Sequence, residues 1–262
     1  MRDSPTTRRD LLRLMAGGAV LAAGARPARA GEKRIDKLII EARKYQTVSK
    51  RIDFISAALR GTRYGAHTLI GGPHRPEKFV VRDDAFDCVT FLEAVLAAAN
   101  ARKPDEYAGL LRKIRYRDGV VEWRERNHYF FDWCRRNVDN GLCRWLSMDG
   151  EVVIHKACDS QKGLGTRRFT MRVIPRAVLL KNKAMVQTGD IIGFLSHRAD
   201  LDYFHAGMIV REHGGALLLR HAAESRGRVL DQRLANFLAR WRVRYVTLVR
   251  PLDSADLALT RM

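Results

Sequence analysis

At Glu151 the hydrophobic periodicity of the chain changes, and this switch limits the available folds more than any other feature. Before it, apolar residues recur at helical spacing over 35–44, 49–59, 89–100, 104–113 and 130–138. After it come short β-rich runs at 151–154, 191–195, 206–210, 216–219 and 244–249, separated by turn residues. One further helix is expected over 230–241. Helices first and strands after predict an α+β domain with an antiparallel sheet. No internal repeat and no linker divides residues 31–262, so they read as a single domain. With 262 residues, 46% of them hydrophobic, the chain can bury a large core and is not of disordered composition.

The first thirty residues have a different character. Thr6-Thr7-Arg8-Arg9-Asp10-Leu11-Leu12 is a twin-arginine pattern, followed by the small apolar run 14–24 and an A-x-A box at Ala28-Arg29-Ala30. Residues 1–30 therefore read as a twin-arginine export signal, which predicts a periplasmic or otherwise exported mature chain starting near Gly31. The apolar run is too short for a comfortable membrane span, and no other stretch approaches that length. No stable membrane insertion is expected once the signal is removed.

The charge narrows the partners. The signal holds six Arg against two Asp, so +15 of the formal +19 stays on the mature chain. A surplus of this size favours a polyanion: nucleic acid, anionic lipid or an anionic wall polymer. Export argues against nucleic acid, and the basic residues are dispersed, with no aromatic-interleaved stripe of the kind single-strand binders use.

The stretch most suited to chemistry is Phe86-Asp87-Cys88-Val89-Thr90-Phe91-Leu92-Glu93, continuing to Asn100. Val89, Leu92, Val95 and Leu96 fall on one helical face, which sets Cys88 in the first turn of a buried helix. Free N–H groups and the positive end of the helix dipole at that position favour the thiolate, the nucleophilic form. A buried structural cysteine is the plain alternative. Two histidines far along the chain count against it. Phe204-His205-Ala206-Gly207-Met208-Ile209-Val210 and Leu217-Leu218-Leu219-Arg220-His221 flank Glu212-His213-Gly214. A three-residue loop closing on glycine suits a hairpin. Symmetry about His213 would oppose 205 to 221, 207 to 219 and 209 to 217, with both histidines on one face. A nucleophile, a base and an orienter follow: Cys88, His205 and His221.

Other chemistries are poorly represented. There is no HExxH, H-x-H or G-x-S-x-G, and the paired glycines make no phosphate loop. A zinc site from Cys134, Cys143, His155 and Cys158 lacks paired CxxC spacing. No metal and no cofactor is expected. If Cys88 is a nucleophile, at most one disulfide can form among Cys134, Cys143 and Cys158. The 123–129 segment, dense in charge and aromatics, reads either as the lining of an anionic cleft or as a solvated face.

At these residues the chain resembles the NlpC-type cell-wall cysteine hydrolases, and more narrowly their N-acetylmuramoyl-L-alanine amidase-like branch. The stretch around Cys88 carries the likeness, with Ile114-Arg115-Tyr116-Arg117-Asp118-Gly119 and Arg126-Asn127-His128-Tyr129-Phe130. Thr188-Gly189-Asp190-Ile191-Ile192, the His205 strand and Leu219-Arg220-His221-Ala222 follow in the same order. The resemblance implies a papain-like core in which the nucleophile helix packs on an antiparallel sheet, here with extra N-terminal helices. It implies a Cys88-His205-His221 triad, an acyl-enzyme, and hydrolysis of an amide in peptidoglycan. By the same likeness Tyr64, Asp87, Arg126 and His128 line the substrate cleft. Separately from the likeness, a monomer is expected. A stem-peptide endopeptidase, an acyltransferase with the same triad, and a catalytically silent wall-binding module are the competing readings. The sequence departs from the pattern at Tyr203-Phe204, where a small residue is commoner, and at Ala223-Glu224, where small hydroxyls are usual.

Overall fold

The computed structural model describes residues 34–253 apart from residue 162; the export signal expected over 1–30 lies outside the described residues. The chain begins with α1 (Arg34–Ala42) and α2 (Val48–Ala58), then β1 (Arg63–Tyr64) and a small hairpin of β2 (Ile70–Gly72) and β3 (Arg75–Lys78). Next come β4 (Ala85–Phe86), α3 (Cys88–Asn100), α4 (Tyr107–Arg115) and α5 (Phe130–Asp139). The second half holds β5 (Cys143–Trp145), β6 (Val152–Cys158), β7 (Arg167–Pro175), α6 (Arg176–Lys181) and β8 (Ile191–Leu195). It ends with β9 (Tyr203–Arg211), β10 (Leu217–Ala223), β11 (Arg228–Arg233), α7 (Leu234–Arg240) and β12 (Tyr245–Pro251).

Ten strands form one sheet in the order β4-β1-β11-β10-β9-β8-β12-β7-β6, with β5 also pairing β12. Only β1 and β4 run parallel; the other pairings are antiparallel. The α+β expectation therefore meets a mixed α and β fold built on a large, mostly antiparallel sheet.

Strand alternation makes two cores. In β8, Ile191 and Leu195 point into one and Ile192 and Phe194 into the other. The first core is closed by α1 to α5, the second by α6 and α7. A strand buried on both faces reads as a continuous apolar run, which is why Ile-Ile-Gly-Phe-Leu was visible in the sequence.

Helix α3 lies at the centre of the first core, packed on α2, α4, β9 and β10. Every residue from Thr90 to Ala99 is buried, as an all-round apolar helix requires. Its one buried charge, Glu93, is answered by Arg115 of α4 at 2.7 Å.

Two sequence expectations need correction. The stretch expected as one helix over 230–241 is strand β11 followed by the short α7. Arg228-Val229-Leu230-Asp231-Gln232-Arg233 hides its period of two behind charged side chains, but pairing with β10 along its whole length fixes it as a strand. Strand β7 was also missed, although Phe169, Met171 and Val173 alternate inward between outward Arg168, Thr170 and Arg172.

Candidate active site

Strand β4 delivers the chain to Cys88, the first residue of α3. Asp87 caps the helix: its Oδ1 accepts from the N–H groups of Val89 at 2.9 Å and Thr90 at 2.8 Å. The Asp87 N–H in turn donates to Thr90 Oγ1 at 2.9 Å, closing a capping box. The parallel pairing of β1 with β4 sets Tyr64 beside Phe86, two residues before the cysteine.

Burial, aided by this cap, reverses the expectation that the helix start favours a thiolate. Burial pushes the Cys88 thiol up to about 12, and the Asp87 carboxylate pushes in the same direction. The N–H groups of Ala206, Cys88 and Val89 pull the other way without prevailing. Asp87 adds a negative charge beside the sulfur. Cys88 is half-buried at residue level, but protein surrounds the sulfur closely enough for desolvation to dominate. Tyr64 is likewise pushed up to about 12, first by burial and then by the charges of Cys88, Glu224 and Asp87. Its phenol stays neutral and available as a donor.

The hairpin carrying the histidines differs from the expected register. Its loop is His213-Gly214-Gly215, closed by the Glu212 N–H to the Ala216 carbonyl at 2.9 Å, with Gly215 at φ +77°. The loop type is the one expected, displaced by one residue because Gly215 rather than Gly214 takes the left-handed position. The ladder consequently runs Leu217 to Arg211, Leu219 to Ile209 and Arg220 to Met208. Each partner is two residues from the expected one. A two-residue shift preserves the face, so the histidines still meet, diagonally rather than directly opposite. His205 Nε2 lies 2.7 Å from His221 Nδ1, with the rings edge to face. Gly207 makes room: a Cβ there would sit 2.5 Å from Leu219 Cδ1 and 3.1 Å from His221 Cβ.

Both rings are neutral near pH 7. Burial, with His221 as a second cause, lowers His205 to about 3. Burial lowers His221 to about 4, opposed by the Gln232 side chain and Asp231. His221 Nε2 is buried without a hydrogen bond of normal geometry, and Gln232 on β11 is the polar side chain next to it. The neighbouring Arg220 fixes this corner. Its guanidinium bonds Asp231 at 2.7 and 2.9 Å, Asp53 at 3.0 Å and Ser56 at 2.9 Å, tying β10 and β11 to α2. Gln232 and the Arg220 network went unassigned in the sequence, where a charged strand gives no sign of what it faces.

The Ala206 N–H, one residue after His205, lies near enough to the Cys88 sulfur to lower its pKa. Around Tyr64 the structure gathers Cys88, Asp87 and Glu224. Arg126 and His128 are placed differently, each engaged with protein groups. Arg126 donates to Glu77 of β3 at 3.0 and 3.3 Å, and Tyr116 donates to the same carboxylate at 2.8 Å. His128 Nε2 donates to the Trp123 carbonyl at 2.6 Å, and burial lowers its pKa to about 4. These contacts anchor the β2–β3 hairpin and the 123–129 segment.

Cys134, Cys143 and Cys158 are buried and unlinked, and His155 bonds Thr170 Oγ1 at 3.0 Å. Among the described residues no group of three or more His, Cys, Asp or Glu could hold a metal ion. Beside the histidine pair lies a cavity of about 510 Å³, walled by Phe204, Phe237 and Trp241 with Arg226 and Arg240 at its edge.

Known proteins share this framework. Protein LPG0564 from Legionella pneumophila str. Philadelphia 1 superposes with a TM-score of 0.74 at 22% identity, covering 84% of this chain and 93% of that one. An N-acetylmuramoyl-L-alanine amidase from Bacteroides uniformis gives 0.69 at 23% identity, covering 79% and 99%. No curated protein sequence matches. The family model described as AmiA-like, N-acetylmuramoyl-L-alanine amidase-like, matches residues 54–243, a span that includes Tyr64, Cys88, His205 and His221. The chain belongs to the N-acetylmuramoyl-L-alanine amidase-like family.

Proposed function

We propose that this protein is an exported, NlpC-type cysteine amidase of peptidoglycan with a papain-like core, working through Cys88, His205 and His221. One observation carries the reading. His205 on β9 is hydrogen-bonded to His221 on β10, and the N–H of the residue after His205 acts on the thiol of a cysteine at a capped helix start.

His205 Nε2 is taken up by His221, which leaves Nδ1 as the atom that can receive the thiol proton. For that, His205 must carry its own proton on Nε2 and donate it to His221 Nδ1. His221 then carries its proton on Nε2, facing Gln232. Cys88 sulfur attacks the amide carbonyl as its proton passes to His205. The Cys88 N–H, with the neutral Tyr64 hydroxyl beside it, stabilises the oxyanion. His205 returns the proton to the departing amine, and the acyl group remains on sulfur as a thioester. Water, deprotonated by His205, then releases the acid and restores the thiol. The high thiol pKa and low imidazole pKa make the resting pair neutral, so charge separates only during reaction. The positive surface suits an anionic wall polymer.

A second reading has one observation in its favour: a thiol held neutral is what a catalytically silent wall-binding module would tolerate. Digestion of purified murein sacculi by residues 31–262 and by Cys88→Ala, with products identified by mass spectrometry, decides between them. Free stem peptides from wild type alone support the amidase. Cys88-dependent fragments cut within the stem would move the bond to an endopeptidase site. Acyl-amine products in place of free acid would mark a transferase. Sacculus binding by both proteins with no Cys88-dependent product would establish the binding module.

A further inference from the structure

We infer that the cavity of about 510 Å³ beside the histidine pair is a leaving-group site for an acidic peptide, with Arg226 and Arg240 reading a free carboxylate and Trp241 covering the peptide's apolar part. The assignment rests on the proposed reaction for its orientation and on the cavity's own chemistry for its ligand.

The orientation follows from which catalytic groups line the wall. His205 and His221 do, and Cys88 does not. In an acyl transfer to sulfur the acyl part stays bonded to Cys88, while the amine departs with a proton from His205. A cavity on the histidine side therefore receives the amine component, which in this reaction is a peptide.

Charge and surface set the ligand class. Arg226 and Arg240 are both exposed at the cavity edge, and neither has an ion pair or side-chain hydrogen bond with any described residue. That sets them apart from Arg115, Arg126, Arg220 and Arg250, whose charges are all answered by carboxylates. The cavity's one acidic lining residue, Glu224, lies close enough to Tyr64 to act on its phenol and leaves the two guanidiniums in excess. Two unpaired planar donors are suited to a carboxylate. Trp241, 47% exposed, closes an aromatic row with Phe204 and Phe237 at centroid distances of 5.9 and 6.2 Å. An exposed indole backed by aromatics offers a platform for aliphatic or ring surface.

The test separates this site from the amidase reading. The probes are L-alanyl-γ-D-glutamyl-glycinamide and L-alanyl-γ-D-isoglutaminyl-glycinamide, which differ only by conversion of the single free α-carboxylate to a carboxamide. Binding to Cys88→Ala is followed by tryptophan fluorescence and calorimetry, so no turnover is needed. The acid should bind about tenfold more tightly than the amide. The double variant Arg226→Gln/Arg240→Gln should bind both peptides alike, at the affinity wild-type chemistry gives the amide. Trp241→Phe should lose most of the fluorescence response while keeping the acid preference by calorimetry. Equal affinity for the two peptides, or a preference surviving in the double variant, overturns the site. Failure of Cys88-dependent digestion with the preference intact would remove the amidase reading and leave the acidic-peptide site standing; digestion without the preference would do the reverse.

Discussion

Asp87 performs two opposing tasks with one carboxylate. It closes the N-terminus of α3 and so holds Cys88 in place, yet its charge raises the pKa of the thiol it positions. Asn caps a helix about as well as Asp does. Asp87→Asn should therefore retain the fold, lower the Cys88 pKa, and speed alkylation by iodoacetamide at pH 8 several-fold relative to wild type. Wild-type alkylation should keep rising with pH beyond 9, where an unperturbed thiol would have levelled off. An unchanged rate in Asp87→Asn would assign the raised pKa to burial alone. At Gly207 the constraint is steric. Gly207→Ala drives a methyl into Leu219 and against His221, so we expect a loss of about 1–3 kcal/mol in chemical denaturation and a fall in kcat larger than any change in KM. His221→Ala should reduce kcat by roughly 10²–10⁴-fold if the histidine orients the base, measured on released stem peptide.

At the scale of elements, the buried pair Glu93–Arg115 fastens α3 to α4 with side chains 3% and 4% exposed. Removing one partner strands the other charge, so Arg115→Ala should cost about 3–5 kcal/mol. Arg115→Met/Glu93→Leu together should cost less, and equal losses in single and double variants would contradict the account. The same scale shows what the sequence disclosed. Cys88 at a helix start was legible because an alanine-rich apolar run follows a polar segment with a capping residue. The shared face of His205 and His221 was legible because side-chain parity survives any even shift of register. The register itself was not, because Gly214 and Gly215 are both competent for the left-handed position and only the folded hairpin selects one. Nor was the charge state of the thiol: the dipole argument considered the helix and left out burial of the sulfur and the charge of the cap. Strand β11 was obscured because its charged side chains are met by Arg220 and other distant groups that no local window contains.

For the molecule as a whole, the two depressed histidines link the site to folding. Their folded pKa values, about 3 and 4, lie below the ordinary 6.5, so between those limits the unfolded chain binds more protons than the folded one. Their contribution is fully present above pH 6.5, is lost progressively as the pH falls below that value, and is gone once the pH has passed through the folded values of about 4 and 3. Thermal midpoints should drop between pH 7 and pH 4.5, and His205→Gln should flatten that slope. A slope unchanged by the substitution would place the acid sensitivity in other groups.

The four thiols share one physical condition: each is wholly or partly enclosed, each has its pKa raised by burial, and none is linked to another. Peroxide and disulfides react with thiolates far faster than with thiols. In the proposed mechanism, a thiol that ionises only as it hands its proton to His205 is thus chemically quiet between turnovers. Under the export proposed above, oxidants outside the reducing cytoplasm would consume a preformed thiolate, and that reticence would set the working lifetime of the proposed enzyme.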